Sequence, residues 1–339
     1  MRIAIVTDAW HPQRNGVVRV IATLAERVRA FGHVAAVIEP GAFPTLPCPG
    51  YAEIPLSLFP GRRLDRILED FGPEAVHIAT EGPLGWAARA WCRRRGHPFT
   101  TAYHTKFPHY IRARTGIPLA WGYAAIRRFH APSSAVLCPS ASVYRELREW
   151  GFTNAAPWSH GVDIDTFRPQ AKDFVDVPRP LFLYVGRVAV EKNLPAFLAL
   201  DLPGTKMVVG DGPARSALMR RFPKTDWRIA DGDAELSRYF AAADAFVFPS
   251  RTDTFGLVML EALASGVPVA AFPVPGPLDV VGDAPVGVLD EDLGAAALKS
   301  LDIPASLCRE YACRFSWQTV VHEFLARLRP FGRASARPA

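Results

Sequence analysis

The chain alternates short apolar runs with longer stretches whose apolar positions recur every three to four residues. Residues 3–6 form the first run and a polar loop covers 8–16; then Val17, Val20, Ile21, Leu24 and Val28 recur at helical spacing. This predicts a buried strand, a turn and a helix over 17–31. A second strand is predicted at 34–38, just beyond Gly32. Apolar runs at 75–78, 99–103 and 135–137 then alternate with helical stretches near 84–95, 119–129 and 141–150. Unbroken apolar runs, rather than alternating ones, suit strands covered on both faces of a parallel sheet. The rhythm is βαβ. It lapses in the proline-bearing stretch 167–180 and restarts with the run 181–185, closed by Gly186. Further strands are predicted at 206–209, 227–230, 245–248 and 267–271, with helices near 213–221, 234–242, 257–265 and 317–328.

Two such series predict an α/β protein of two Rossmann-like domains facing a cleft, because ligands of open parallel sheets sit beyond the strands' carboxyl ends. The expected organisation is a first domain over 1–172 and a second over 173–315. A terminal helix over 316–330 is expected to return to the first domain, ahead of a disordered tail over 331–339.

Composition narrows the class. With 49% hydrophobic and 21% charged residues, the 339-residue chain is too apolar for disorder. The longest apolar-looking stretch, 256–274, is interrupted by Glu261, Gly266, Pro268 and Pro273, so no bilayer span is expected. No signal-like leader precedes the first strand, and a cytoplasmic location is expected. The five cysteines form no CxxC pair and are expected to be buried and reduced. Residues 1–170 hold 20 basic and 13 acidic side chains, whereas 171–339 hold 19 and 20, so the net charge of +6 comes from the first half.

Three places could carry chemistry. Asn15-Gly16 stands directly before the first helix, where free amides favour an anion such as a diphosphate, and GxGxxG is absent from this turn, which argues against a nicotinamide or flavin cofactor. Gly186-Arg187, followed by Glu191-Lys192-Asn193, brings a guanidinium and an ammonium to one strand-to-helix loop, a fitting pair for a diphosphate. Gly210-Asp211-Gly212-Pro213 closes the next strand in the same way. The third place is Asp253-Thr254-Phe255-Gly256-Leu257-Val258 with Glu261, eight residues after Asp253. Asp253 is placed in a loop beside a helix start at Gly256, and Glu261 lies inside an apolar helix where an acid is costly to bury. Both carboxylates could accept hydrogen bonds from sugar hydroxyls.

The segment from Asp253 to Val269 resembles the acid-x7-acid signature of GT-B fold retaining glycosyltransferases of family 4. Gly186-Arg187, Glu191-Lys192-Asn193, the Gly210–Pro213 loop, Gly161-Val162-Asp163 with Phe167 and Pro169, and the set Asp8, Pro12, Asn15-Gly16-Val17 match the same family in order and spacing. The likeness is to its lipid-glycosylating and α-mannosyltransferase-like branch, and Asp253 stands where the family usually has Glu. The resemblance implies that Arg187 and Lys192 bind the diphosphate of a UDP- or GDP-sugar, assisted by amides near Gly16 and Leu257. It implies that Glu261 holds the ribose, and that Asp253, Phe255 and Gly256 contact the transferred sugar. His104, after the strand 99–103, takes the family's place beside the reacting sugar, with His109 as fallback. Base contacts are expected from backbone near residues 229–233. No metal and no cofactor are expected, although Asp163-Ile164-Asp165 and Asp231-Gly232-Asp233 have the DxD form that another glycosyltransferase fold uses for a divalent ion. Transfer is expected with retention, the departing diphosphate taking the acceptor's proton.

The resemblance also places the acceptor in the first domain. Residues 82–145 hold ten Lys or Arg and no acid, interleaved with aromatics. Residues 117–128 could lie flat, with Leu119, Trp121, Tyr123 and Ile126 toward lipid. Lys106, Arg112, Arg114, Trp121, Arg127 and Arg128 are thus expected at an anionic membrane surface, on the inner face of the cytoplasmic membrane, with a glycerolipid acceptor. No nucleic-acid module accompanies these cations. The alternatives are a soluble or polysaccharide acceptor and, from another class, a nucleotide-sugar epimerase or a non-catalytic binding protein.

Overall fold

The computed structural model describes the chain apart from Arg14, Asn15, Pro49, Gly50, Thr254 and residues 333–339, and apart from the side chains of residues 51–53, 113 and 114. The backbone groups into two compact units, Met1–Ser159 together with Val320–Ala339, and His160–Thr319.

The first unit is built on β1 (Arg2–Val6), β2 (Val34–Ile38), β5 (Ala75–Ile78), β6 (Thr100–Ala102), β7 (Ala135–Cys138) and β8 (Ala155–Pro157), with β3 (Thr45–Cys48) and β4 (Tyr51–Ser57) forming a separate antiparallel hairpin. The sheet order is β2-β1-β5-β6-β7-β8, with every ladder parallel. The second unit has β9 (Leu181–Val185), β10 (Thr205–Val209), β11 (Asp226–Arg228), β12 (Ala245–Phe248), β13 (Val269–Ala271) and β14 (Gly287–Leu289), in the all-parallel order β11-β10-β9-β12-β13-β14. Side chains along β9 go alternately to the two faces: Leu181, Leu183 and Val185 join one apolar cluster, Phe182 and Tyr184 the other. Helices cover both faces, which is why these strands read as continuous apolar runs.

The structure departs from the sequence reading in several places, among them the helices Gly61–Phe71 and Phe107–Thr115, which were not predicted. The hairpin was not predicted, because Pro47 and Pro55 lie opposite each other in it and proline argues against a strand. The edge strands β8 and β14, three residues each, were not predicted either. The units divide between Ser159 and His160, upstream of the boundary expected at 172. Val162 already bridges to Ser316, and Phe167 lies in the core of the second unit. From Val320 onward the helix Trp317–Arg327 belongs to the first unit, where the Trp158 indole donates to the Val320 carbonyl (3.0 Å) and Phe324 meets His77 edge-on. The tail expected to be disordered lies, from residue 333, outside the described residues. Cys92, Cys138 and Cys308 are buried, but Cys313 is exposed, contrary to the expectation that all five are covered.

Candidate active site

Strand order in the second sheet reverses at β9, which has β10 on one side and β12 on the other, and the loops that follow these three strands carry the site. Gly210 and Gly212 are glycines for a packing reason. A Cβ on Gly210 would lie 2.0 Å from the Gly186 carbonyl oxygen, and one on Gly212 would lie 2.4 Å from that of Val188. Their loop therefore rests directly on the Arg187 loop, tied by Val188 N–H to the Asp211 carbonyl (2.9 Å) and Ala214 N–H to the Val188 carbonyl (3.0 Å).

The Arg187 loop runs on through Lys192 to Asn193. Asn193 takes a left-handed conformation (φ 53°), and its amide donates to the Pro249 carbonyl at 3.1 Å, fastening this loop to the end of β12. Lys192 forms an ion pair with Asp253, with 24% and 17% of the two side chains exposed. The other Asp253 oxygen, Oδ2, is buried and has no hydrogen-bond partner among the described residues. Gly276 (φ 80°) lets its own segment pass close by, since a Cβ there would stand 3.1 Å from the Asp253 carbonyl oxygen. Gly256 (φ 87°) opens the helix Leu257–Ala264, and a Cβ on it would meet Met259 at 2.6 Å. Glu261 is only 4% exposed, among Leu260, Ala262 and Leu263 at 0%. Phe255 is buried and packs edge-on against His160, which is also buried. Arg187, Lys192, Asp253 and Glu261 are thus all positioned by loops and a helix at the carboxyl edge of one sheet, and Thr254 lies outside the described residues.

In the first unit the order reverses between β1 and β5. Asp8, directly after β1, accepts from the Leu84 (2.8 Å) and Gly85 (3.2 Å) amides and from the Thr80 hydroxyl (2.9 Å), at the start of the helix Pro83–Arg95. Burial raises its pKa to about 6, against the lowering effect of those hydrogen bonds. Asp8 is therefore a helix cap. Gly16 begins the helix Gly16–Ala30, and Asn15 lies outside the described residues. His104 follows β6 half-buried and edge-on to Trp158 (6.2 Å between centroids), and burial lowers its pKa to about 4, so the ring is neutral at pH 7.

A family described as Glycosyltransferase Family 4 matches residues 14–166, and one described as Glycosyl transferases group 1 matches 179–302. A GDP-mannose-dependent alpha-mannosyltransferase of Mycobacterium tuberculosis is 31% identical over 319 residues, 85% of this chain and 83% of that protein. The chain belongs to the family 4 glycosyltransferases. It is an enzyme of the hexosyl-transfer class. An alpha-monoglucosyldiacylglycerol synthase of Streptococcus pneumoniae is 26% identical, covering 89% of this chain and 78% of that one. The structure of a sucrose-phosphate synthase from Thermosynechococcus elongatus superposes with a TM-score of 0.76 at 19% identity, over 96% and 97% of the two chains, as expected of the GT-B fold.

The basic segment of this glycosyltransferase differs from the sequence expectation. Lys106 does not face solvent. It pairs with Glu146 (2.6 Å), which also meets His109 Nε2 (2.8 Å) and accepts from the Tyr123 hydroxyl (2.5 Å). Burial alone would raise the Glu146 pKa, yet the hydrogen bonds from His109, Lys106 and Tyr123 hold it down at about 2. Tyr123 was expected toward lipid; it is buried and stacked on Trp150, and Leu119 and Ile126 pack beside it. The outer face of the helices Phe107–Thr115 and Leu119–His130 instead presents Ile111, Trp121 (72% exposed), Arg112, Arg127 and Arg128, with Ile117 between the helices; the Arg114 side chain lies outside the described ones. Several arginines of the segment are also engaged: Arg94 and Arg95 pair with Asp65 and Glu69, and Arg89 donates to the Phe129 and Arg128 carbonyls at the end of the second helix.

The two DxD sequences have local roles. Asp163 accepts from the Asp165 (3.1 Å) and Thr166 (3.2 Å) amides and closes its own turn. Asp231 precedes the helix Gly232–Ala242, its amide donating to Glu235 (2.6 Å). Sequence reasoning missed Asn193, Gly276 and His160, which hold or pack against the candidate site residues. Asn193 was quoted only within a motif; the Gly276-Pro277 pair is a turn signal that could have drawn attention to that segment.

Proposed function

We propose that this glycosyltransferase moves a hexose or uronic acid from a UDP- or GDP-sugar to a membrane glycerolipid, with retention and without a metal or cofactor. The observation that carries the lipid reading is the exposure of Ile111, Ile117, Trp121, Arg112 and Arg128 on the helices Phe107–Thr115 and Leu119–His130 and the loop between them, with Arg127 exposed as well while its guanidinium donates to the Trp150 carbonyl. Apolar and aromatic side chains among arginines suit the headgroup boundary of an anionic leaflet, and no helix among the described residues is long and apolar enough to cross a membrane. The names of the two relatives above, a GDP-mannose-dependent mannosyltransferase and a glucosyldiacylglycerol synthase, agree with a nucleotide-sugar donor and a lipid acceptor.

On the donor side, Arg187 and Lys192 hold the diphosphate and take up the charge that develops on it as it leaves. Glu261 holds the ribose, and Asp253 with Phe255 and Gly256 contacts the sugar. His104, neutral at pH 7, is available as a hydrogen-bonding group rather than a cation, and the departing diphosphate takes the acceptor's proton. Phosphatidylglycerol vesicles with and without diacylglycerol, given labelled GDP-mannose or UDP-glucose, test the reading. Transfer of label into chloroform-soluble product with an α linkage is expected. Label found only in water-soluble glycoside, or a β linkage from an α donor, would overturn the lipid or the retaining part respectively.

A further inference from the structure

Tyr184 is read from the sequence as one more apolar position of β9. Its ring fills that place, 1% exposed among Phe182, Val188, Leu194 and Phe197. Its hydroxyl does something else. It rises past Gly186 and donates to the Arg187 carbonyl at 3.0 Å. The approach is close enough that a Cβ on Gly186 would stand 2.9 Å from the hydroxyl oxygen. Burial, with the charges of Asp253 and Glu191 nearby, keeps the phenol pKa well above 10, so the group remains a donor at every pH at which the protein works.

The loop from Gly186 to Asn193 carries both cations assigned to the diphosphate, and the structure fixes it at several points, among them the Val188 N–H, which donates to the Asp211 carbonyl at 2.9 Å, and the Glu191 carbonyl, which accepts from the Thr252 hydroxyl at 3.4 Å. Asn193 is bound to Pro249, Lys192 to Asp253, and the Arg187 peptide to Tyr184. The Tyr184 hydroxyl holds the carbonyl side of the Arg187–Val188 peptide, whose N–H side is held by the Asp211 carbonyl. We infer that the Tyr184 hydroxyl is a positioning group for Arg187, holding the peptide from which the guanidinium reaches the donor's diphosphate. The inference rests on the reading that Arg187 and Lys192 bind that diphosphate. A part-buried carbonyl that loses its donor turns to find another, and a long side chain magnifies a small rotation of its own backbone into a displaced guanidinium.

Titration calorimetry with GDP, GMP, UDP and UMP tests this on the full chain. Tyr184→Phe keeps the ring and its packing. It is expected to weaken the preferred nucleoside diphosphate about 5- to 10-fold, to move the matching monophosphate by less than about twofold, and to raise the donor KM more than it lowers kcat. In an Arg187→Ala background the same change is expected to have no further effect on the diphosphate, because the group it positions is gone. A merely structural role would weaken mono- and diphosphate alike. An unaltered diphosphate preference in Tyr184→Phe, or full additivity with Arg187→Ala, would overturn the inference. The outcomes separate it from the reading beneath it. If the unmodified enzyme shows no preference for diphosphate, the assignment of Arg187 and Lys192 fails and the inference with it; if Arg187→Ala abolishes the preference and Tyr184→Phe does not, the inference alone fails.

Discussion

The two sheets meet the same problem at the points where their strand order reverses, and they answer it oppositely. In the first unit the amides at the start of the helix Pro83–Arg95 are already taken by a carboxylate of the protein, Asp8. In the second, the corresponding strand ends present Arg187 and Lys192, with Lys192 held by Asp253. One reversal point is closed by an internal anion and the other is built from cations. A parallel sheet thus offers an anion site by topology, and side-chain charge decides whether it serves folding or a ligand.

The largest expected effect is on the cationic side. Arg187→Ala, Lys192→Ala and Glu261→Ala should each lower kcat/KM for transfer about 100- to 1,000-fold, roughly 3–4 kcal/mol of transition-state stabilisation, in initial-rate assays. Asp8→Asn should leave nucleoside diphosphate affinity within about threefold. Equal losses of affinity from Asp8→Asn and Lys192→Ala would break the comparison. Next comes Gly82→Ala, whose Cβ would lie 2.4 Å from the Asp8 carboxyl carbon. It should destabilise the first unit by about 2–3 kcal/mol in urea unfolding, with nucleotide affinity unchanged in the protein that remains folded.

Titration sharpens the contrast. The Asp8 pKa is raised from its usual 3.8 to about 6, so its contribution to stability is complete below about pH 4 and is lost as pH rises through 6. A shift of about 2 units corresponds to roughly 2–3 kcal/mol. Glu146, held down at about 2 from 4.5, has the opposite sign: its contribution is present above about pH 4.5 and is lost as pH falls toward 2. Stability measured by urea titration between pH 4 and 7 should therefore fall less steeply with rising pH in Asp8→Asn than in the unmodified protein. The smallest effect belongs to the face proposed to meet a membrane. Trp121→Ser should reduce sedimentation with phosphatidylglycerol vesicles about three- to tenfold and leave unfolding within about 0.5 kcal/mol, because the ring is mostly exposed.

Sequence legibility follows the same divide. The loops proposed to hold the donor could be placed from the sequence because Arg187, Lys192, Asp253 and Glu261 sit a few residues from a strand end or helix start whose geometry is local. The exposed face of the helix Leu119–His130 was misread because periodicity reveals that the helix has two faces but not which one has a partner. Tyr123 is inside because Trp150 and Glu146 receive it, and both lie more than twenty residues away. Lys106 was assigned to a membrane surface for the same reason. The acid-free run of 64 residues is bounded by Glu81 and Glu146, and both reach into it, Glu81 to His130 and Glu146 to Lys106 and His109. Absence of acids within a segment says nothing about acids folded onto it.

The return of residues from Val320 onward to the first unit has a consequence for the order of events during synthesis. The second unit occupies one unbroken stretch of chain, so it can complete its core once Thr319 has left the ribosome. The first unit, begun earlier, cannot. His77 and Trp158 wait for Phe324, and the Trp158 indole waits for the Val320 carbonyl, so the half that is translated first is finished last. During that interval His77 and Trp158 lack the ring that covers them in the finished protein.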